Sequence, residues 1–256
     1  MLDFLVKTAQ DAGVLALEYF GRLQPDQVTL KGTPRDLVSV ADKAVEELIV
    51  SRIKARFPDH GIFGEETGKS NLSSPYCWVI DPIDGTQNFV KNIPAFSVSI
   101  GLEYNGVSIA GCVHQPALGT TFYAEKGKGA FENGRKIHVS DCPSLEEAVC
   151  ATGFACLRAG LEHNNLPYFT KLAPVLRSVL RTGSAAYDLC LAASGRLDGF
   201  WELALQEYDV AAGVIIAREA GAVVTDFYNG TEFPQKGIIC ANPAIHDQLL
   251  NTFRSL

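Results

Sequence analysis

The sequence has no C-x-x-C pair among its seven cysteines, and an odd number of thiols cannot close into a complete set of intramolecular disulfides. They read as reduced, mostly buried thiols, which excludes zinc-ribbon and dithiol-redox chemistry. No apolar run approaches the roughly 18 residues of a membrane span. The opening apolar stretch is broken by Asp3, Lys7 and Asp11, which a secretory h-region would not tolerate. A cytoplasmic location with no membrane association is therefore expected. Basic runs longer than a dipeptide are also missing. With 22 Lys and Arg against 29 Asp and Glu the net charge is −7, so the field repels polyanions and direct nucleic-acid binding is not expected. There is no G-x-S-x-G elbow and no phosphate-binding G-x-x-x-x-G-K-[ST] loop. Gly127-Lys128-Gly129 lacks the third glycine of a dinucleotide fingerprint and reads as a strand turn. The five histidines are dispersed, each more readily a core or surface residue than a ligand.

What is present is an ordinary globular composition, 47% hydrophobic and 20% charged over 256 residues, without low-complexity tracts or repeats. Leu2, Leu5, Val6, Ala9, Gly13, Ala16 and Phe20 recur at helical spacing before Gly21, which suits a helix-terminating position. Ser39 and Asp42 form a capping pair for a second helix whose buried stripe is Ala41, Val45, Leu48, Ile49 and Ile53, and which Pro58 ends. From residue 61 the pattern changes to short apolar runs ending in acids: Gly61 to Gly64 before Glu65-Glu66, and Cys77 to Ile80 before Asp81. Two Asn-Gly turns, Asn105-Gly106 and Asn133-Gly134, predict antiparallel pairing further on.

After Pro143 strands and helices alternate: a strand at 149–152, helices near 168–178 and 184–194, and a strand at 198–202. A helix near 209–220, strands at 222–226 and 237–241 and a final helix through Leu256 complete the order. The expected organisation is an α+β half over residues 1–142 with an antiparallel sheet, and an α/β half over 143–256. No flexible linker divides what reads as one catalytic unit.

The informative segment is Trp78-Val79-Ile80-Asp81-Pro82-Ile83-Asp84-Gly85-Thr86, an apolar strand running into a tight turn with two aspartates. Pro82 fixes one torsion and Gly85 frees another, and a helix starting there would aim the amides of Gly85 and Thr86 outward, so the turn can hold cations and phosphate together. Read alone, such a turn is often a solvated loop, Glu65-Glu66 a solvated strand end, and Asp209 a helix cap. Adjacent strand residues face opposite ways, so one of Glu65 and Glu66 shares a site with Asp81, and Glu65 is the choice. If Glu65, Asp81, Asp84 and Asp209 meet, the all-anionic cluster needs cations or sharply raised pKa values. Oxygen-only ligands favour Mg²⁺, or Mn²⁺, over zinc or copper. An aspartyl-phosphate mechanism on Asp81 is disfavoured, because its two aspartates normally stand two apart and these stand three apart.

Glu65-Glu66, the run from Trp78 through Asp81-Pro82-Ile83-Asp84-Gly85-Thr86 to Asn88-Phe89-Val90, Gly183-Ser184-Ala185-Ala186, and Asp209-Val210-Ala211-Ala212-Gly213 resemble, in order and spacing, the blocks of the inositol monophosphatases. The resemblance spans essentially the whole chain, including Lys31 and Asp36-Leu37-Val38 through Asp42. It implies an α/β (α+β) layered α/β/α/β/α sandwich of the sugar-phosphatase type, usually dimeric, hydrolysing phosphate monoesters with two to three magnesium ions and often inhibited by lithium. By position it implies that Glu65, Asp81 and the Ile83 carbonyl hold one metal, that Asp81, Asp84 and Asp209 hold a second, and that Glu65 helps hold a third.

Asp42 and Thr86 resemble the pair that orients the attacking water, and the Gly85 and Thr86 amides would receive the phosphate. Gly183, Ser184, Ala185 and Glu202, with Asp84, fall where the family contacts substrate. Lys31 and Glu66 are accessory candidates. The expected substrate is inositol 1-phosphate, with fructose 1,6-bisphosphate, histidinol phosphate and nucleotide phosphates as alternatives. Bacterial relatives imply a rival of another class, a regulatory protein that binds RNA polymerase or a similar partner. The sequence departs from the family at Glu207-Tyr208, where a Trp, often preceded by Pro, is usual; a smaller hydroxyl-bearing wall and an added negative charge near the entrance are expected.

Overall fold

The computed structural model describes residues 1–30, 37–71 and 73–255. In chain order the described elements begin with α1 (Leu2–Tyr19), β1 (Val28–Leu30), β2 (Leu37–Ser39), α2 (Val40–Arg56), β3 (Gly61–Gly64), β4 (Gly68–Ser70), β5 (Tyr76–Asp84) and α3 (Thr86–Val90). β6 (Ser97–Tyr104), β7 (Val107–Gln115), β8 (Thr120–Glu125), β9 (Ala130–Glu132), β10 (Arg135–Ile137), β11 (Val149–Thr152), α4 (Ala155–Arg158) and α5 (Leu166–Leu172) follow. β12 (Ser178–Leu180), α6 (Ala185–Ala193), β13 (Gly199–Glu202), α7 (Glu207–Glu219), β14 (Val223–Thr225), β15 (Ile238–Ala241) and α8 (Pro243–Phe253) complete the chain.

A sheet in the order β10-β9-β8-β7-β6-β5-β3-β4 is antiparallel throughout except where β3 runs parallel to β5. Where pairing is regular, successive side chains alternate between its two faces. Val98, Ile100 and Leu102 of β6, with Trp78 and Ile80 of β5, turn to one face, where the apolar stripes of α1 and α2 cover them. Burying each such side chain contributes roughly 1.5–3 kcal/mol. The opposite face receives α7, and Gly101 and Gly111 make this contact possible. A Cβ on Gly101 would lie 3.0 Å from that of Ala211, and one on Gly111 would lie 2.7 Å from the Ala212 carbonyl. The Ala211-Ala212 segment thereby seats the start of α7 close against β5 and β6.

α6 packs beside α7, and the pair also covers the second sheet, ordered β12-β11-β13-β15-β14. α5 and α8 close the far side over Trp201 and Ile239, with Leu249 of α8 among the packed side chains. The layers therefore run α/β/α/β/α. Ser39 caps α2 and Asp42 returns to the Ser39 N–H, as the capping pair predicts. Both Asn-Gly turns join antiparallel neighbours with positive φ at each residue. One helix is shorter than its periodicity implies: α5 ends at Leu172, and residues 178–180 form the edge strand β12. Pro174 accounts for the stop, since it lacks the N–H that would continue the hydrogen-bond ladder beyond Ala173. No described helix is long and apolar enough to cross a membrane.

Candidate active site

The two aspartates of the turn reach one face through an irregularity in β5. Asp81 pairs with Ser99 and Asp84 with Ser97, so three steps on β5 oppose two on β6. In a regular strand, positions three apart face opposite ways; the extra residue at Pro82-Ile83 turns Asp84 to the side of Asp81. Ile80 points into the core beneath α1 and α2, so Asp81 points toward α7. The parallel pairing of Gly64 with Ile80 sets Glu65 next along, beside Asp81, whose pKa it helps to raise. Asp209 arrives from the first turn of α7. There its Oδ2 accepts the Gln206 N–H at 2.6 Å, so it caps the helix while still facing the cluster.

Carboxylate oxygens of Asp81, Asp84 and Asp209 lie within 4.8 Å of one another. Burial first, then Glu65, Asp84 and Asp209, push the Asp81 pKa well above the usual range. Burial and Asp84 do the same to Asp209. For Asp84 burial raises it to about 6 against the opposing hydrogen bonds from Ser184 and Ala186. Among the described residues no Lys or Arg forms an ion pair with these three aspartates. Buried like charges without a counter-charge call for a cation, and an all-oxygen donor set fits Mg²⁺ or Mn²⁺. The residues present fit such ions.

Asp84 is held by the start of α6: its Oδ2 accepts from Ser184 Oγ at 2.6 Å and from the Ala186 N–H at 2.7 Å. Gly85, at φ 97, opens α3, and Thr86 Oγ1 lies 3.1 Å from the Ile83 carbonyl and 3.3 Å from Asp42 Oδ1. Asp42 is buried at the start of α2, its pKa raised to about 6 by burial against hydrogen bonds from Ser39. Glu65, Asp81, Ile83, Asp84, Gly85, Thr86, Gly183 and Asp209 line a cavity of about 140 Å³. Ser184, Ala185 and Glu202 line an adjoining one of about 60 Å³. Glu202 is buried at the end of β13, where Oε1 accepts the Ala155 N–H at 3.1 Å, and burial raises its pKa to about 7.

Glu66 is not among the cavity-lining residues; its N–H, like that of Thr67, is held by the buried carboxylate of Glu46. Lys31 and Asp36 lie outside the described residues. Glu207, expected near the entrance, instead faces Lys69 at 3.6 Å and stands beside Glu103, whose pKa burial and then Glu207 raise, away from the cleft. Tyr208 packs edge-on against Phe63. Sequence reasoning gave no role to Glu46, Asn88, Arg158, Arg181 or Asp188. Asn88 stood within the quoted run, and its Nδ2 ties the Ala95 and Thr182 carbonyls together at 2.6 and 2.7 Å.

A family model, "Inositol monophosphatase family", matches residues 1–256. The chain belongs to the inositol monophosphatase family. Its relatives include the inositol-1-monophosphatase of Synechocystis sp., 39% identical over 97% of this chain and 86% of that protein. They also include the Nus factor SuhB of Vibrio cholerae, 40% identical over 94% of this chain and 91% of its own length. The solved structure of an inositol monophosphatase from Anabaena (Nostoc) sp. PCC 7120 superimposes with a TM-score of 0.90 at 37% identity, covering 100% of this chain and 95% of that one. Membership supports phosphatase activity, and the aspartate cluster is where such a phosphatase would hold metal.

Proposed function

We propose that the chain hydrolyses a polyol phosphate monoester, inositol 1-phosphate foremost, by direct attack of water with magnesium bound at Glu65, Asp81, Asp84, Asp209 and the Ile83 carbonyl. The observation that carries this reading is the meeting of four acids with the Gly85-Thr86 turn in one cavity. Unaided phosphate-monoester hydrolysis is among the slowest of reactions, accelerated up to about 10²¹-fold, so strong electrostatic stabilisation is required. Bound magnesium supplies it by lowering the pKa of water and offsetting charge on the phosphoryl and leaving oxygens.

The chain's own residues do the rest. Thr86 Oγ1, between Asp42 and the Ile83 carbonyl, is placed to take a hydrogen bond from the attacking water and pass its own proton toward Asp42. The amides at the start of α3 receive the phosphate oxygens. Ser184 keeps Asp84 fixed. Glu202, one carboxyl oxygen engaged by Ala155, offers the other to ring hydroxyls of the alcohol. A buried acceptor left unpaired by an alcohol lacking those hydroxyls would discriminate against it.

The test is kcat/KM for inositol 1-phosphate, fructose 1,6-bisphosphate and histidinol phosphate, with magnesium and with excess chelator, on the wild type and Glu202→Gln. Activity lost with chelator and a substrate ratio altered by glutamine support the reading; full turnover in chelator or unchanged ratios refute its metal or its alcohol part respectively. Identity to a Nus factor favours a second reading, binding to a transcription partner. A pull-down with Asp84→Asn separates such binding from chemistry.

A further inference from the structure

Of the four acids proposed for the metals, three are carried by regular elements: Asp81 and Asp84 by β5, and Asp209 by α7. Glu65 is not. It lies between β3 and β4, in the short turn that joins Gly64 to its partner Gly68. A side chain on such a connection is aimed less precisely than one on a strand or helix, and a ligand has to be held to within about 0.5 Å, so its backbone has to be tied down.

The ties stand on both sides of it. Glu65 donates its own N–H to the Ile80 carbonyl at 3.1 Å, immediately before Asp81. The next two amides go to one side chain of α2: Glu46 Oε2 accepts the Glu66 N–H at 2.9 Å, and Oε1 the Thr67 N–H at 2.7 Å. Glu46 is 1% exposed, and among the described residues no Lys, Arg or His forms an ion pair with it, so these two amides are what offset its burial. Gly64 leaves the room: a Cβ there would lie 2.3 Å from Glu46 Oε1. One turn earlier on the same face of α2, Asp42 Oδ1 stands 3.3 Å from Thr86 Oγ1. A single helix therefore reaches both the proposed water-orienting threonine and the turn that carries Glu65.

We infer that Glu46 is a positioning residue for metal binding: its carboxylate fixes the Glu65 turn against Asp81, so that α2 organises this part of the cluster before a cation arrives. Glu46 itself lines neither cavity and acts through Glu65. The inference rests on the metal assignment proposed above.

The measurement is the magnesium dissociation constant by titration calorimetry, without substrate, together with the melting temperature in chelator. It is made on wild type, Glu46→Gln, Glu46→Asp and Glu46→Ala. Two references accompany them: Asp84→Asn within the cluster, and Ser140→Ala, which removes a hydrogen bond to Asp198 and lines neither cavity. Loss of a group that holds a ligand typically weakens metal affinity about 10–100-fold. Glutamine, which keeps one acceptor oxygen at full length, should lose roughly tenfold, and alanine should fall toward the upper end of that range. Aspartate keeps the charge but is one methylene short, and should bind more weakly than glutamine. Ser140→Ala should melt lower with its magnesium constant unchanged. A constant unaltered in Glu46→Ala beside a lowered melting temperature overturns the inference and leaves Glu46 a stabilising group. Aspartate binding as tightly as wild type beside a defective glutamine also overturns it, because charge alone would then be the cause. If alanine does not fold, glutamine and aspartate decide: wild-type constants in both overturn the inference. Asp84→Asn binding magnesium as tightly as wild type overturns instead the metal assignment beneath it.

Discussion

Ser184 Oγ donates to Asp84 Oδ2 at 2.6 Å across 100 residues of chain, joining the start of α6 to the end of β5 at the candidate metal site. The same oxygen accepts the Tyr187 N–H at 3.3 Å as the cap of α6 and lies 3.1 Å from Ser97 Oγ. One hydroxyl thus starts a helix and aims a carboxylate.

Ser184→Ala should therefore cost twice. The lost cap is worth about 1 kcal/mol and the lost hydrogen bond to a charged group about 1.5–3 kcal/mol. At about 2–4 °C per kcal/mol for a domain near this size, the melting temperature should fall by several degrees. Removing an outer hydrogen bond to a ligand typically weakens metal affinity about 10–100-fold. Magnesium activation curves check the second effect; a curve unchanged beside a lowered melting temperature would leave Ser184 a cap only.

Magnesium should stabilise the protein. The cluster's carboxyls have folded pKa values raised above the ordinary 3.8, so their ionisation near neutral pH works against the folded state, and this penalty fades as pH falls through the folded values. A cation that binds the folded form alone at a hundred times its dissociation constant adds about 2.7 kcal/mol, or about 5–10 °C. Asp84→Asn should melt higher than wild type in chelator yet gain little from magnesium. Equal magnesium shifts in both proteins would place the ion elsewhere.

Local chemistry was readable from residue order, and long-range pairing was not. The Ser39–Asp42 cap and the Asn-Gly turns involve residues at most three apart, within reach of spacing rules. Asp209 looked either like a cap or like a ligand, and the structure explains why both signals were present: one oxygen accepts from Gln206 while the side chain faces Asp81 and Asp84. Glu46 read as one more polar position of α2, because nothing in a helical pattern announces that it will hold the Glu66 and Thr67 amides twenty residues on. β12 leaves no mark in residue order, since its three residues, Ser178–Leu180, follow directly on the stretch 168–178 that reads as helix. Arg158 and Arg181 carry no local signature at all; only the folded cleft brings them to one wall.

Glu202 can be displaced without removing its charge. A Cβ on Gly153 would lie 2.1 and 2.2 Å from the two carboxyl oxygens of Glu202, so Gly153→Ala forces that side chain to shift within a buried site. If Glu202 grips the alcohol, KM for inositol 1-phosphate should rise by roughly tenfold while magnesium dependence is retained. An unaltered KM would confine Glu202 to holding α4 through Ala155.

The last expectation concerns acid stability and two histidines remote from the cleft. His246 is 2% exposed, its Nε2 2.8 Å from Thr225 Oγ1, and burial lowers its pKa below 6.5 although Asp247 pulls the other way. His114 is 8% exposed, its Nδ1 2.9 Å from Thr121 Oγ1, and is lowered by burial likewise. Both bind a proton less readily folded than unfolded, so the unfolded state takes up more protons as pH falls through 6.5 and their contribution to stability is lost in that direction. Glu202, with a folded pKa of about 7 against 4.5, runs in the opposite direction and gains stability over the same interval. The whole-protein curve mixes these slopes, so the measurement is a difference: unfolding free energies of wild type and His246→Gln in saturating magnesium, from about pH 7.5 to about pH 5. The wild-type advantage should be largest at the upper end and shrink below pH 6.5, and a difference flat across that range would show that His246 titrates alike in both states.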